Sequence, residues 1–151
     1  MRHTLYLLVA VGALAAGCVP SMRLPQGFVS TDAPAGGPYH VRAVSADGVV
    51  VALRSEANRD DAGIDFWTRA VTNELVQRRG YRLKESKPHP DGSDVPARLL
   101  TFTHERQGVA YLYLVNLFVQ PDTILIAEAG GKADDVEAVL PEIKKAFATV
   151  R

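Results

Sequence analysis

The chain has 151 residues, 47% of them hydrophobic and 23% charged, enough for one domain with a proper core. Its 17 basic and 17 acidic side chains cancel, leaving no basic stripe to neutralise phosphates, which argues against nucleic acid as a partner. A single cysteine excludes a disulfide within the chain, so stability has to come from packing.

Arg2 and His3 precede an uncharged, mostly apolar stretch from Leu5 to Ala16. As a helix it would be about 18 Å long at ~1.5 Å per residue, short of the ~30 Å hydrocarbon core. Residues 1–17 therefore read as a signal peptide rather than a permanent span. Ala15, Ala16 and Gly17 are small enough to admit a peptidase, and Cys18 follows them. Leu14-Ala15-Ala16-Gly17-Cys18 resembles the lipobox of bacterial lipoproteins. In that family the cysteine thiol is alkylated by diacylglycerol, a dedicated peptidase cuts before it, and the new amine is usually acylated. Ala15 departs from the pattern, which most often has Leu there. The resemblance implies a lipid on Cys18 with the membrane as partner. Val19, standing where some relatives carry an Asp that retains them at the inner membrane, implies the outer membrane and a domain facing the periplasm. An ordinary cleaved signal with an incidental cysteine is the alternative.

Residues 18–37 read as the lipidated cysteine and a Pro/Gly-rich tether, with Pro20, Pro25 and Pro34 beside Gly27, Gly36 and Gly37. As a flexible coil it would reach ~25 Å. Phe28 and Val29 are the exception, suited to docking as a short edge segment that would shorten the free tether.

The domain proper is residues 38–151. Tyr39 to Ser45 and Val49 to Arg54 are rich in β-formers and joined by Asp47-Gly48, a hairpin signal. Ile64 to Arg79 has helical spacing, with Phe66, Trp67, Ala70, Val71, Leu75 and Val76 toward one face. Acidic residues near its start, Arg78 and Arg79 at its end, and Gly80 beyond suit the dipole and a glycine cap. Tyr81 to Lys84 predicts a short strand and Lys87 to Pro96 a loop. Arg98 to Arg106, Val109 to Gln120 and Thr123 to Ala129 predict a meander. In Val109 to Gln120 both alternating faces are apolar, so this strand should be central and covered on both sides. Gly130-Gly131 then leads to a second amphipathic helix carrying Val136, Val139, Leu140, Ile143, Phe147 and Val150 inward. Pro141 should kink this helix or open its main segment.

The expected order is β-β-α-β-β-β-β-α on a mostly antiparallel sheet, an α+β fold. That order resembles the PsbP-like superfamily, as do Pro25-Gln26-Gly27-Phe28, Phe66-Trp67, Gly80-Tyr81 and Tyr111-Leu112-Tyr113. The superfamily includes an extrinsic photosystem II protein, a nuclear import factor that binds the Ran GTPase, and bacterial envelope lipoproteins. The likeness spans about Leu24 to Arg151 and carries no catalytic motif. It implies an α/β/α sandwich and a role in binding other proteins.

Candidate chemistry is sparse. His104 and Glu105 are strand neighbours and point to opposite faces, so they cannot readily pair. His104 shares a face with Leu100 and Phe102, as a histidine at a core edge does. A hydrolase built on His40 and His104 would need their strands to bring them together. Asp91, Asp94 and His89 lack the alternating spacing of a calcium loop, and His89, between two prolines, should be solvated. Ser45, Ser55, Ser86 and Ser93 lack a nucleophile elbow. Gly36-Gly37 and Gly130-Gly131 lack the flanking residues of a phosphate loop. Trp67 follows the periodicity of the helix core. Tyr111 and Tyr113 form a stripe suited to core packing or contact. We therefore expect no catalytic, cofactor-binding or metal-ligating set, and Cys18 as the one modification site. The function read from this is a non-enzymatic envelope lipoprotein that binds an envelope protein. A carrier of a lipid or small apolar ligand is the alternative, and needs a cavity lined by Trp67, Tyr111, Tyr113 and Phe118.

Overall fold

The computed structural model describes residues 19–31, 37–89 and 95–151. The signal peptide, Cys18, Gly36, Asp91, Ser93 and Asp94 lie outside them. Seven strands form one sheet: β1 (Phe28–Ser30), β2 (Tyr39–Ser45), β3 (Val50–Ala57), β4 (Arg82–Pro88), β5 (Ala97–Arg106), β6 (Val109–Val119) and β7 (Thr123–Lys132). The spatial order is β1-β2-β3-β7-β6-β5-β4, and every neighbouring pair is antiparallel. Helix α1 (Ile64–Asn73) continues into a π-helical turn, Glu74–Arg78, and helix α2 (Ala133–Phe147) closes the chain.

Each face of the sheet has its own core, as the two apolar faces of β6 require. Leu112, Leu114 and Phe118 pack with Val51, Leu53, Leu125 and Ala127 under Val136, Ile143 and Phe147 of α2. Val115, Leu117 and Val119 pack with Leu100, Phe102, Ile124 and Ile126 against Leu75, with Trp67 and Val71 at the margin. Alternation along a strand sends neighbours to opposite sides, so one sequence run serves both cores. This is the expected α+β, α/β/α sandwich.

Several local expectations change. The segment from Ser21 is docked rather than free: Ser21 and Arg151 exchange backbone hydrogen bonds of 3.1 and 3.2 Å, and Met22 is buried. A 25 Å tether over residues 18–37 does not survive that contact. β4 runs through Lys87 and Pro88, where a loop was expected; an edge strand tolerates proline because one side of it needs no ladder donor. Gly130 and Gly131 belong to β7 rather than to a helix-entering loop. α2 passes through Pro141, which therefore does not open it. Phe66, assigned to the inner face of α1, is 51% exposed. Gly80 does cap the helical segment, at φ +72°, a conformation that favours glycine. Tyr81 N–H then reaches back to the Leu75 carbonyl at 3.1 Å.

Candidate functional site

The face of the sheet under α1 carries a row of polar side chains at one end of its core. Arg54 on β3 and Glu128 on β7 share that face by register, since Arg54 lies opposite Ile126, two residues from Glu128. Arg54 Nε donates to Glu128 Oε1 at 3.2 Å and Nη1 donates to Glu56 Oε1 at 2.6 Å. The Glu128 side chain is only 13% exposed. Tyr113, on neighbouring β6, brings its hydroxyl under the influence of the same carboxylate. Burial, and then the charge of Glu128, push the Tyr113 hydroxyl well above its ordinary value; Arg54 opposes this weakly. Tyr113 lies directly across from Gly130, and its ring carbon sits 3.1 Å from where a Cβ at that glycine would stand. A side chain there would displace the ring. The pair of glycines is thus packing chemistry in a strand rather than a loop.

Between this row and α1 lies an open cleft of about 300 Å³, walled by Trp67, Val71, Leu75, Val115 and Ile126 and rimmed by Arg54, Glu74 and Arg79. Trp67 is held at one end of it. Its indole N–H donates to Asn58 Oδ1 at 3.1 Å, and Phe66 stands edge-on to its ring at 5.4 Å. Asn58, 2% exposed, also accepts from the Ala62 N–H at 2.9 Å and donates to the carbonyls of Ala62 at 3.0 Å and Gln120 at 2.8 Å. One amide therefore ties the start of α1, the turn after β6 and the cleft tryptophan together.

A second cleft, about 390 Å³, opens beyond Tyr113 toward the β5–β6 hairpin. Arg79 and Tyr113 line both clefts and stand between them. Tyr81, His104, Arg106 and Tyr111 also line the second, with Leu112 and the Gly130-Gly131 backbone. Tyr81 packs against His104 at 5.0 Å and Tyr113 at 5.6 Å between ring centres. His104 Nδ1 lies 3.2 Å from the Gly80 carbonyl, which can only accept, so Nδ1 carries the proton.

Trp67, Tyr111 and Tyr113 thus come to one face, but Phe118 does not. It packs on the opposite side of the sheet under α2, because its position in β6 has the other parity. His40 and His104 are not brought together: β3, β7 and β6 separate their strands. His40 instead pairs with Ser55 Oγ at 2.7 Å, on the α2 face that Val51 and Leu53 occupy, while His104 lies on the α1 face with Phe102. Among the described residues no carboxylate hydrogen-bonds His40, so the His40–Ser55 contact lacks an orienting third member. His89, expected in solvent, is half-buried with its ring 5.9 Å from Phe118. Among the described residues no three His, Cys, Asp or Glu side chains are grouped to hold a metal ion, and no helix is long and apolar enough to cross a membrane.

Arg54, Glu128 and Asn58 escaped the sequence reading. Glu128 could have been found as a charge inside a run, Ile124 to Ala129, that otherwise reads as buried on both faces. Asn58 gives no such signal, because its partners are backbone groups from distant segments.

The sequence matches no protein-family model and no curated protein. Solved structures do match. LpqN of Mycobacterium tuberculosis, involved in cell envelope biogenesis, superposes with a TM-score of 0.66 at 11% identity, over 87% of this chain and 82% of that one. PA94 of Pseudomonas aeruginosa, a protein of unknown function, gives 0.56 at 20% identity, over 89% and 85%. The cyanobacterial PsbP of Synechocystis, CyanoP, gives 0.56 at 12% identity, over 95% and 98%. The fold is PsbP-like.

Proposed function

We propose that this chain is a non-enzymatic module of the bacterial cell envelope, lipid-anchored through Cys18, that works by binding a protein partner on the α1 face. Exposed Phe66, set edge-on to Trp67 beside a half-open cleft, is the observation that carries the binding role. An aromatic stabilises a monomer little while half in water, and such residues anchor interfaces when a partner covers them. The likeness to LpqN, a protein of envelope biogenesis, supports the setting. The lipobox resemblance supports the anchor and, with Val19, an outer-membrane lipid with the domain in the periplasm.

Acyl labelling with membrane fractionation tests the anchor. Wild type should carry the label and sediment with outer membranes. Cys18→Ala should lose the label and appear as a soluble or unprocessed form. Membrane retention of an unlabelled wild type would sink the anchor.

A second reading, carriage of a small apolar ligand, is favoured by the cleft itself, whose volume of about 300 Å³ lies at the lower end of ligand pockets. Trp67 is the only tryptophan in the chain, so its fluorescence reports that cleft alone. Lipid extracted from the envelope should shift Trp67 emission saturably if the cleft carries it. An unchanged spectrum, with no lipid co-purifying, would leave the partner-binding role by itself.

A further inference from the structure

We propose that the second cleft, at the β5–β6 hairpin end, binds a small ring compound bearing a phosphate or carboxylate. Two guanidinium groups reach this cleft from separate elements, Arg79 beyond α1 and Arg106 from the end of β5, and no carboxylate side chain stands in its wall among the described residues. Arg106 makes no ion pair among those residues. Arg79 pairs only with Glu74, at 3.3 Å, and that one carboxylate is shared with Arg78 at 3.5 Å. Positive charge is therefore in excess at the mouth. Paired guanidinium forks match the planar or tetrahedral oxygens of an anion. The rings of Tyr81, His104 and Tyr113, tilted against one another at 5.0 and 5.6 Å and all lining the cleft, supply an aromatic wall for a ring to lie against. The phenolic hydroxyl of Tyr111 offers a further donor beside them. The chain therefore presents, at one place, charge for the anion and a flat surface for its carrier.

Position argues for a ligand from solution rather than a headgroup of the anchoring membrane. α2 begins beside the cleft, directly after Lys132, the β7 residue in register with Tyr111, and runs for 15 residues, roughly 22 Å at ~1.5 Å per residue. Arg151, just past its far end, is hydrogen-bonded to Ser21. Only Val19 and Pro20 separate Ser21 from Cys18, a reach of about 10 Å. A lipid on Cys18 would hold that far end at the bilayer and leave the cleft facing away. This orientation rests on the lipidation reading; the binding itself does not.

Amide NMR of nitrogen-labelled protein carrying Cys18→Ser, titrated with phenyl phosphate and with benzoate, tests the site. At least one should give saturable shifts centred on Gly80, His104, Tyr111 and Gly130, with phenol and inorganic phosphate each markedly weaker. The pair Arg79→Gln and Arg106→Gln, both at exposed positions, should weaken binding by about tenfold or more with an unchanged melting curve. Arg106→Gln alone, away from the helix end, should give part of that loss. No saturable response to either anion, or equal affinity in the double variant, would overturn the site. Phenol binding as tightly as phenyl phosphate would overturn the anion, and inorganic phosphate doing so would overturn the ring. Failure here with an intact acyl label on wild type would leave the envelope role standing.

Discussion

Tyr113 joins the fold to the site. Its ring rests on Gly130, its hydroxyl meets Glu128, and it separates two clefts. A tyrosine gains charge by losing its proton, and the folded state holds that proton more tightly than the unfolded chain does. The stability linked to it is therefore whole below about pH 10 and falls as pH rises beyond, where the unfolded chain ionises first. Chemical denaturation across this range should show wild type losing stability more steeply than Tyr113→Phe. At neutral pH the substitution should cost no more than about 1 kcal/mol for the lost hydroxyl. Glu128→Gln should bring the Tyr113 titration down toward the ordinary range, read by its absorbance. Equal alkaline slopes in wild type and Tyr113→Phe would refute the link. The stripe of Tyr111 and Tyr113 was visible in the sequence because alternation fixes a shared face. Their charged neighbours were not, since Arg54 meets Glu128 only through a pairing of β3 with β7 that no local pattern specifies.

At the scale of elements, Asn58 stands between β3 and α1 and binds four groups from three segments. Buried amides lose most when their partners are orphaned with them. Asn58→Ala should cost about 2–4 kcal/mol in urea unfolding and shift Trp67 emission as the indole loses its acceptor. A change under about 0.5 kcal/mol with an unaltered spectrum would remove it from this role. The elements themselves were largely legible. Helical periodicity marked Ile64 to Arg79, and two-sided apolarity marked β6 as central. The π-helical turn at Glu74–Arg78 was not; Phe66 and Leu75, nine residues apart and so about half a turn out of phase on a regular helix, differ in burial, 51% against 5% exposed. β4 was cut short by prolines that an edge strand accommodates, and its sequence is exposed throughout.

For the whole molecule, two cores on one sheet explain why a chain this short buries β6 and β7 from both sides. The docking of Ser21 to Arg151 changes the expected geometry more than any other contact. It turns a long tether into a short one and gives the domain a near and a far end relative to Cys18. The sequence could not show this, since Met22 among prolines looks like linker until its burial is seen. On the proposed anchoring through Cys18, the α1 face, with Phe66 and the two clefts, would lie along the side of the domain, open to the proposed partner. The most direct test is a crosslinked pull-down of the tagged, lipidated protein from native envelopes, with Cys18→Ser and Phe66→Ala beside it. The account predicts one stoichiometric protein captured by wild type, reduced when Cys18 is replaced and lost with Phe66→Ala although the acyl label remains. An acylated wild type that captures no protein, or captures it equally with Phe66→Ala, would contradict it.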